Sequence, residues 1–352
     1  MPMIEHAHGN LLKANAEALV NTVNCVGVMG KGIALQFKQA FPENFRVYEH
    51  ACRTGEVQPG RMLVFETGRM VSPKYIINFP TKRHWRESSR LEDIDAGLTA
   101  LVAEVQKAGI RSIAIPPLGC GNGGLDWAVV RPRIEAAFSG IPDVQVLLFS
   151  PSGAPEATTM PVGTARPEMT PARALFIKLL EQYAVLEYTC TLLEVQKLAY
   201  FLQEAGEPLR LKYKAAHYGP YAANLNKVLE RMEGHFIRGY GDSQSPTAVI
   251  RLERGAAEEA DRFLADHSDS RRRLEGISRL IEGFETPYGM ELLASIHWLA
   301  RHSEKKVSGL AEAVAAVHAW SPRKRKLFKP RHIEIAWQRL VETGWIATSA
   351  AC

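Results

Sequence analysis

The chain has 352 residues, 46% of them hydrophobic and 23% charged, with a formal net charge of +5. That length fits two domains, each able to bury a proper core, and the composition describes an ordinary soluble globular protein. The charge permits a nucleic-acid partner without arguing for one, and no stretch has the length of a membrane span or the layout of a signal peptide.

The five cysteines (Cys25, Cys52, Cys120, Cys190 and Cys352) are scattered, which suits a reducing cytoplasm. Neither Cys25 nor Cys120 has a short-spaced partner, so no metal site is expected.

In chain order, Ile4–Ala7 reads as a strand ending at Gly9–Asn10. Ala18–Asn21 is a buried strand that empties into an amide- and glycine-rich loop with Asn24, Gly27, Gly30 and Gly32. Lys31–Ala40 and Pro42–Arg53 have helical spacing, with Pro42 at a favourable first position. Met62–Phe65 and Tyr75–Phe79 are strand-length runs, the second followed by Pro80, Thr81 and Lys82. Leu91–Lys107 is a helix and Ile113–Ile115 a strand opening into Pro117, Leu118, Gly119, Cys120, Gly121, Asn122, Gly123 and Gly124. Asp126 suits the start of the next helix, and Val144–Phe149 is a last buried strand. The alternation predicts an α/β domain, a mixed sheet with helices on both faces, over residues 1–152.

Residues 150–171 carry five prolines and no apolar period, which marks 153–172 as a linker or surface strap. Residues 173–352 read as a mainly α-helical second domain, with helices expected at 174–186, 192–203, 221–232, 256–265, 274–284, 290–300, 310–317 and 331–341. The aromatic- and glycine-rich joints near Tyr218, Tyr221, His235 and Tyr240 are compatible with an interface. The Lys324–Arg325–Lys326 run reads as a solvated face before it reads as a nucleic-acid contact.

Three strand ends converge in this reading: Asn21–Asn24, Pro80–Lys82 and the 119–124 loop. Small residues before a helix let main-chain N–H groups line an anion cradle, and the loop of Gly27–Gly32 can close the other side. The glycine spacing fits neither G-x-G-x-x-G nor G-K-[ST]. A nucleoside diphosphate sugar suits this pocket better than a bare phosphate. Lys82 at a dry strand end can serve as an amine nucleophile toward an anomeric carbon, or can simply neutralise phosphate beside Arg83 and Arg86.

The segments GNLLK, ALVNTVNCVGVMGKGIALQFK, NFPTKRHWR and IPPLGCGNGGLDW resemble the macrodomain of the DarG antitoxin family. The resemblance implies a DNA ADP-ribosyl glycohydrolase that removes ADP-ribose from thymidine in single-stranded DNA, with a DarT-like ADP-ribosyltransferase toxin as partner. It implies ADP-ribose as ligand or product and no cofactor. Lys82 matches the lysine on which activity depends, and Asn24 the asparagine that holds the distal ribose.

The ligand-lining residues implied are Asn10 and Leu11 near adenine, then Asn21, Thr22 and Val23 beside Asn24. Gly30, Gly32 and Ile33 form the following loop. Pro117 and Leu118 lead into Gly119–Gly124, which match the loop over the diphosphate and distal ribose. Phe149 is placed either to stack on adenine or to fill the core. Thr81, Arg83, His84, Trp85 and Arg86 are candidates to meet DNA. A related macrodomain hydrolase carries an aspartate in its glycine loop where Gly123 stands here, while Asp126 reads as a helix cap.

The segments LLEVQKLAYFLQEAG and LKYKAAHYGPYAANLNKVLERMEGHFIRGYGD resemble the C-terminal region of full-length DarG proteins and the Panacea antitoxin-associated domain. This resemblance implies that the second half binds and neutralises the toxin. Two other readings compete: an ADP-ribose-reading module without catalysis, and a hydrolase of protein-linked ADP-ribose.

Overall fold

A near-continuous apolar strand such as Ala18–Leu19–Val20 is buried on both faces, so its sheet must be covered on both sides. The computed structural model, which describes residues 3–151, 159–185, 190–241 and 249–347, has that architecture in its first unit. The chain divides into Met1–Ala165 with Gly241–Gln244, and Arg166–Tyr240 with Ser245–Cys352. Within the expected linker, residues 153–158 lie outside the described residues, as do Leu186 and Cys352.

The first unit runs β1 (Met3–Ala7), a short 3-10 turn, β2 (Ala18–Asn24), α1 (Gly32–Ala40), α2 (Pro42–Arg53), β3 (Leu63–Glu66) and β4 (Tyr75–Lys82). It continues with α3 (Leu91–Lys107), β5 (Ser112–Ile115), α4 (Trp127–Phe138) and β6 (Gln145–Phe149). The sheet order is β1-β6-β5-β2-β4-β3, with β3 antiparallel to β4 and the other pairings parallel.

Strand alternation divides the core between the two faces. Val20, Ile77 and Phe79 pack with Leu98 and Leu101 of α3 and Ile134 and Phe138 of α4. Leu19 and Ile76 face the other way, against Phe37 of α1.

Two strands run further than their apolar residues suggest. β2 extends three residues to Asn24, and β4 continues through Pro80 to Lys82. β3 pairs β4 only over Tyr75–Asn78, so Pro80 has a partner strand on one side alone. Proline is tolerated at such an edge position.

From residue 159 the chain is packed against the first unit. Met160 is buried, and the Gly163 N–H donates to the Gln39 carbonyl at 2.7 Å.

The second unit contains α5 (Pro171–Val185), β7 (Cys190–Thr191), α6 (Leu192–Glu204), the hairpin β8 (Tyr213–Ala216) and β9 (Gly219–Ala222), α7 (Leu225–Met232), β10 (Ile237–Arg238) and β11 (Val249–Leu252). It ends with α8 (Ala256–Leu264), α9 (Ser268–Ile281), α10 (Pro287–Arg301), α11 (Leu310–Trp320), α12 (Pro322–Leu327) and α13 (Pro330–Glu342). α6 and α10 are buried nearly all round, including polar residues, so they form its centre.

Several expectations are corrected here. Tyr221 belongs to a hairpin, because Gly219 at φ 89° and Pro220 do not suit a helix, and α7 starts at Leu225. Lys324 is no solvated residue. It is fully buried, and its ammonium donates to Glu291 at 2.6 Å and to Ser295 at 2.9 Å. Tyr240 is buried, whereas Tyr218 is exposed at the hairpin tip under the Arg323 guanidinium.

Candidate active site

Every parallel strand of the first unit delivers its carboxyl end to the same edge of the sheet, and the predicted site residues sit there. A register shift between Val23 and Asn24 matters most. Val23 pairs with Pro80, but Asn24 pairs with Lys82 rather than Thr81. This bulge sets the two candidate catalytic residues abreast. Thr81, skipped by the pairing, is buried with its hydroxyl toward the Val23 carbonyl, so it is no DNA contact.

Asn24 is only 7% exposed. Its Oδ1 accepts from the Val26 and Val28 N–H groups at 3.0 and 3.3 Å, and its Nδ2 donates to the Val28 carbonyl at 2.5 Å. The buried Tyr48 hydroxyl donates to the Asn24 carbonyl at 2.7 Å. Asn24 is thus the frame of its own loop, an Asx turn built on a strand end.

Asn21 differs. It is fully buried and donates to Asn78 Oδ1 at 2.9 Å; Asn78 in turn donates to Asn44 Oδ1 at 2.7 Å. This relay ties β2 to β4 and α2, which takes Asn21 out of the ligand-lining set. Val23 leaves it too, packed with Met29, Tyr48, Ala51 and Val57. Thr22 is half-buried in mid-strand.

Lys82 donates from Nζ to the Asn122 carbonyl, and partial burial holds its pKa below the ordinary lysine range. The 119–124 loop therefore touches Lys82 on one side. On the other side a Cβ on Gly32 would stand 3.3 Å from Asn122 Nδ2, so the loops carrying Gly32 and Asn122 face each other. Gly30 and Ile33 flank Gly32 half-buried.

Gly121, Asn122 and Gly124 are exposed, while Pro117 is half-buried and Leu118, Gly119 and Gly123 are interior. Among the described residues the N–H groups of Gly121, Asn122 and Gly123 donate no hydrogen bond. Three N–H groups without a hydrogen bond, on consecutive residues of a loop that leads into α4, make that loop a candidate anion cradle.

Burial pushes the Cys25 and Cys120 thiols beside these loops up to about 11, so both stay protonated. Among the described residues no group of side chains is arranged to hold a metal ion. Asp126 accepts the Ala128 N–H at 2.9 Å and caps α4.

Asn10 and Phe149 stand at the β1/β6 end of the same edge. Asn10 Oδ1 accepts from Leu12 N–H at 3.0 Å, and its Nδ2 lies 3.3 Å from Met160 Sδ. Phe149 is 6% exposed, in one apolar cluster with Leu11, Leu12 and Met160.

Beyond Lys82, Arg83 forms a two-point pair with the buried Asp93, at 3.3 and 3.0 Å. His84 stacks on Trp85, which is 47% exposed, and Arg86 lies 4.5 Å from the same indole. Sequence reasoning missed Tyr48 and Ser89. Neither lies in a motif, and both act through burial against distant loops.

The chain matches the Macro domain over residues 20–134. It is 46% identical over 342 residues to the DNA ADP-ribosyl glycohydrolase of Thermus aquaticus, covering 97% of this chain and 94% of that one. It is 43% identical over 357 residues to the Mycobacterium tuberculosis protein of the same name, covering 97% of this chain and all of that one. Among solved structures, the macrodomain of Mycobacterium tuberculosis DarG is 56% identical, covering 43% of this chain and all of that one, with a TM-score of 0.43. Identity of this degree along nearly the whole length of both relatives places the chain in the DNA ADP-ribosyl glycohydrolase family, with a macrodomain as its first unit.

Proposed function

We propose that the macrodomain cleaves the N-glycosidic bond between ADP-ribose and thymine in single-stranded DNA, as the antitoxin of a DarT/DarG-type pair. The observation that supports this reading most is the pairing of Asn24 with Lys82 beside the free N–H groups of the glycine loop. Neighbouring strands lie about 4.8 Å apart, so the row from β1 to β4 spans roughly 19 Å. An ADP-ribose group laid along it puts adenine at Asn10 and Phe149, the diphosphate on Gly121–Gly123, and the distal ribose at Asn24 and Lys82.

In that pose the Asn24 loop and the glycine loop orient the ribose. The lowered pKa of Lys82 favours its neutral amine. Its lone pair adds to the anomeric carbon as the bond to the thymine nitrogen breaks, both bonding electrons leaving with the base, which takes a proton from solvent. Water then displaces the lysine and returns free ADP-ribose. A single strand exposes the modified base at lower cost than a duplex, and Trp85 and Arg86 stand beside the site to receive flanking bases and phosphates.

The second unit is proposed to hold the toxin. A Thermosipho africanus relative, named as a DNA ADP-ribosyl transferase–DNA ADP-ribosyl glycohydrolase fusion protein, is 37% identical over 139 residues; the match covers 35% of this chain and 36% of that one. A fusion of the two activities supports a transferase as the partner of this chain.

The enzymatic reading is tested by incubating the chain with ADP-ribosylated single-stranded DNA and with ADP-ribosylated protein. Release of free ADP-ribose from the DNA is expected, with at least about a hundredfold loss in Lys82→Ala. Binding without release marks a reader module instead, and preference for the protein substrate marks the other hydrolase class. Capture of a co-expressed transferase by residues 173–352 checks the second unit.

A further inference from the structure

Ser89 ends the exposed loop that follows Lys82, one residue before the cap of α3. Its main-chain N–H donates to the Gly123 carbonyl at 2.9 Å. Its side chain is only 6% exposed, and its hydroxyl is buried with no hydrogen-bond partner among the described residues.

The space around that hydroxyl is fully committed. A Cβ on Gly123 would stand 2.2 Å from it and 2.3 Å from the Gly119 carbonyl oxygen. A Cβ on Gly119 would stand 3.0 Å from Ser89 Cβ and 3.1 Å from its hydroxyl. Gly119 and Gly123 therefore meet back to back, and the Ser89 hydroxyl fills the volume a side chain at 123 would occupy. The aspartate that a related hydrolase carries at this position has no room here.

Lys82 holds the Asn122 carbonyl and Ser89 the Gly123 carbonyl, so one stretch grips two consecutive peptides of the glycine loop. Gly121 and Asn122 are exposed on that loop, while its interior side at Gly119 and Gly123 packs on the unpartnered Ser89 hydroxyl. An unpaired buried hydroxyl disfavours the fold that contains it.

We propose that Ser89 is a positioning residue for the glycine loop, an inference that rests on the ADP-ribose reading above. When a diphosphate draws the N–H groups of Gly121, Asn122 and Gly123 outward, the hydroxyl donates to the Gly119 or Gly123 carbonyl behind them, each of which has a second lone pair available. The hydrogen bond missing in the free protein thus forms in the complex.

The test compares the full chain with Ser89→Ala by thermal unfolding, calorimetric titration with ADP-ribose, and steady-state release of ADP-ribose from modified single-stranded DNA. The expected result has opposite signs in the two states. Without ligand the variant is as stable as the wild type or more so, while ADP-ribose binds about fivefold more weakly. KM rises by a similar factor and kcat holds.

An unchanged ADP-ribose Kd overturns the proposal, because the loop then makes no use of the hydroxyl. A lower melting temperature in the unliganded variant also overturns it, since the hydroxyl would already be bonded. If the wild type does not bind ADP-ribose, the functional reading itself falls and takes this inference with it. Wild-type binding with an unaltered variant removes this inference alone.

Discussion

At Asn24, one side chain accepts two N–H groups, donates to a carbonyl and sits under a buried tyrosine. Removing it costs the loop its frame as well as any contact to ribose. Asn24→Ala is expected to lose about 1–3 kcal/mol of stability together with activity; denaturant titration separates this from Lys82→Ala, which keeps the fold. Lys82 also gives a pH signature. Its folded pKa is lowered by burial, so the neutral amine gains population as pH rises, and the acid limb of the rate profile falls below the ordinary lysine range. A profile flat in pH argues against the amine as nucleophile. Lys82 and Asn24 are picked out as candidates by their motifs. Their alignment is not, because it depends on a one-residue shift in pairing. Asn21 misleads for a related reason: an amide near a glycine loop looks like a ligand contact until its strand is seen to run on to Asn24.

At the scale of elements, the α/β layout of the first unit is readable in its strand-length apolar runs and in the helical period of Leu91–Lys107, whereas the macrodomain identity is carried by the resemblance of its motifs. The hairpin β8–β9 was not, since Lys214, His217 and Tyr218 break any simple alternation and its register is held from outside. Gln196 of α6 bonds both the N–H and the carbonyl of Ala222, at 3.0 and 3.2 Å, and Lys197 donates to the Pro220 carbonyl at 2.7 Å. α12 was hidden because Lys324–Arg325–Lys326 looks like a surface run. Helix-to-sheet packing in the first unit is equally tight. A Cβ on Gly97 of α3 would stand 2.2 Å from the ring of Phe79 in β4. Gly97→Ala gains about 1 kcal/mol in helix propensity but overpacks a core by about 1–3 kcal/mol, so a lower melting temperature is expected. Gly276→Ala in α9, with nothing within 4 Å of its Cβ, should raise it. Equal responses from the two glycines contradict this packing account.

At the scale of the whole chain, each unit has its own testable consequence. In the second, Lys197 is 1% exposed and burial lowers its pKa to about 7, with the nearby Lys324 adding to the effect and Glu291 opposing it. The unfolded chain binds this proton up to about pH 10.5, whereas the folded chain gives it up near 7. The unfolded state therefore holds more protons in between, and this group makes stability rise with pH by up to about 1.4 kcal/mol per unit between pH 7 and 9. Urea unfolding at three pH values should show the slope in the wild type and a flatter one in Lys197→Met.

In the first unit, the row of strand ends acts as a ruler with two separable halves. In the pose proposed above, adenosine lies at the β1/β6 end, where it must contend with Met160 packed beside Phe149, and ribose 5-phosphate lies at Asn24 and the glycine loop. The two fragments should then bind together without displacing each other, each far more weakly than ADP-ribose. Joining them raises their effective concentration without adding a contact, so the fold itself specifies where an inhibitor assembled from fragments would be linked.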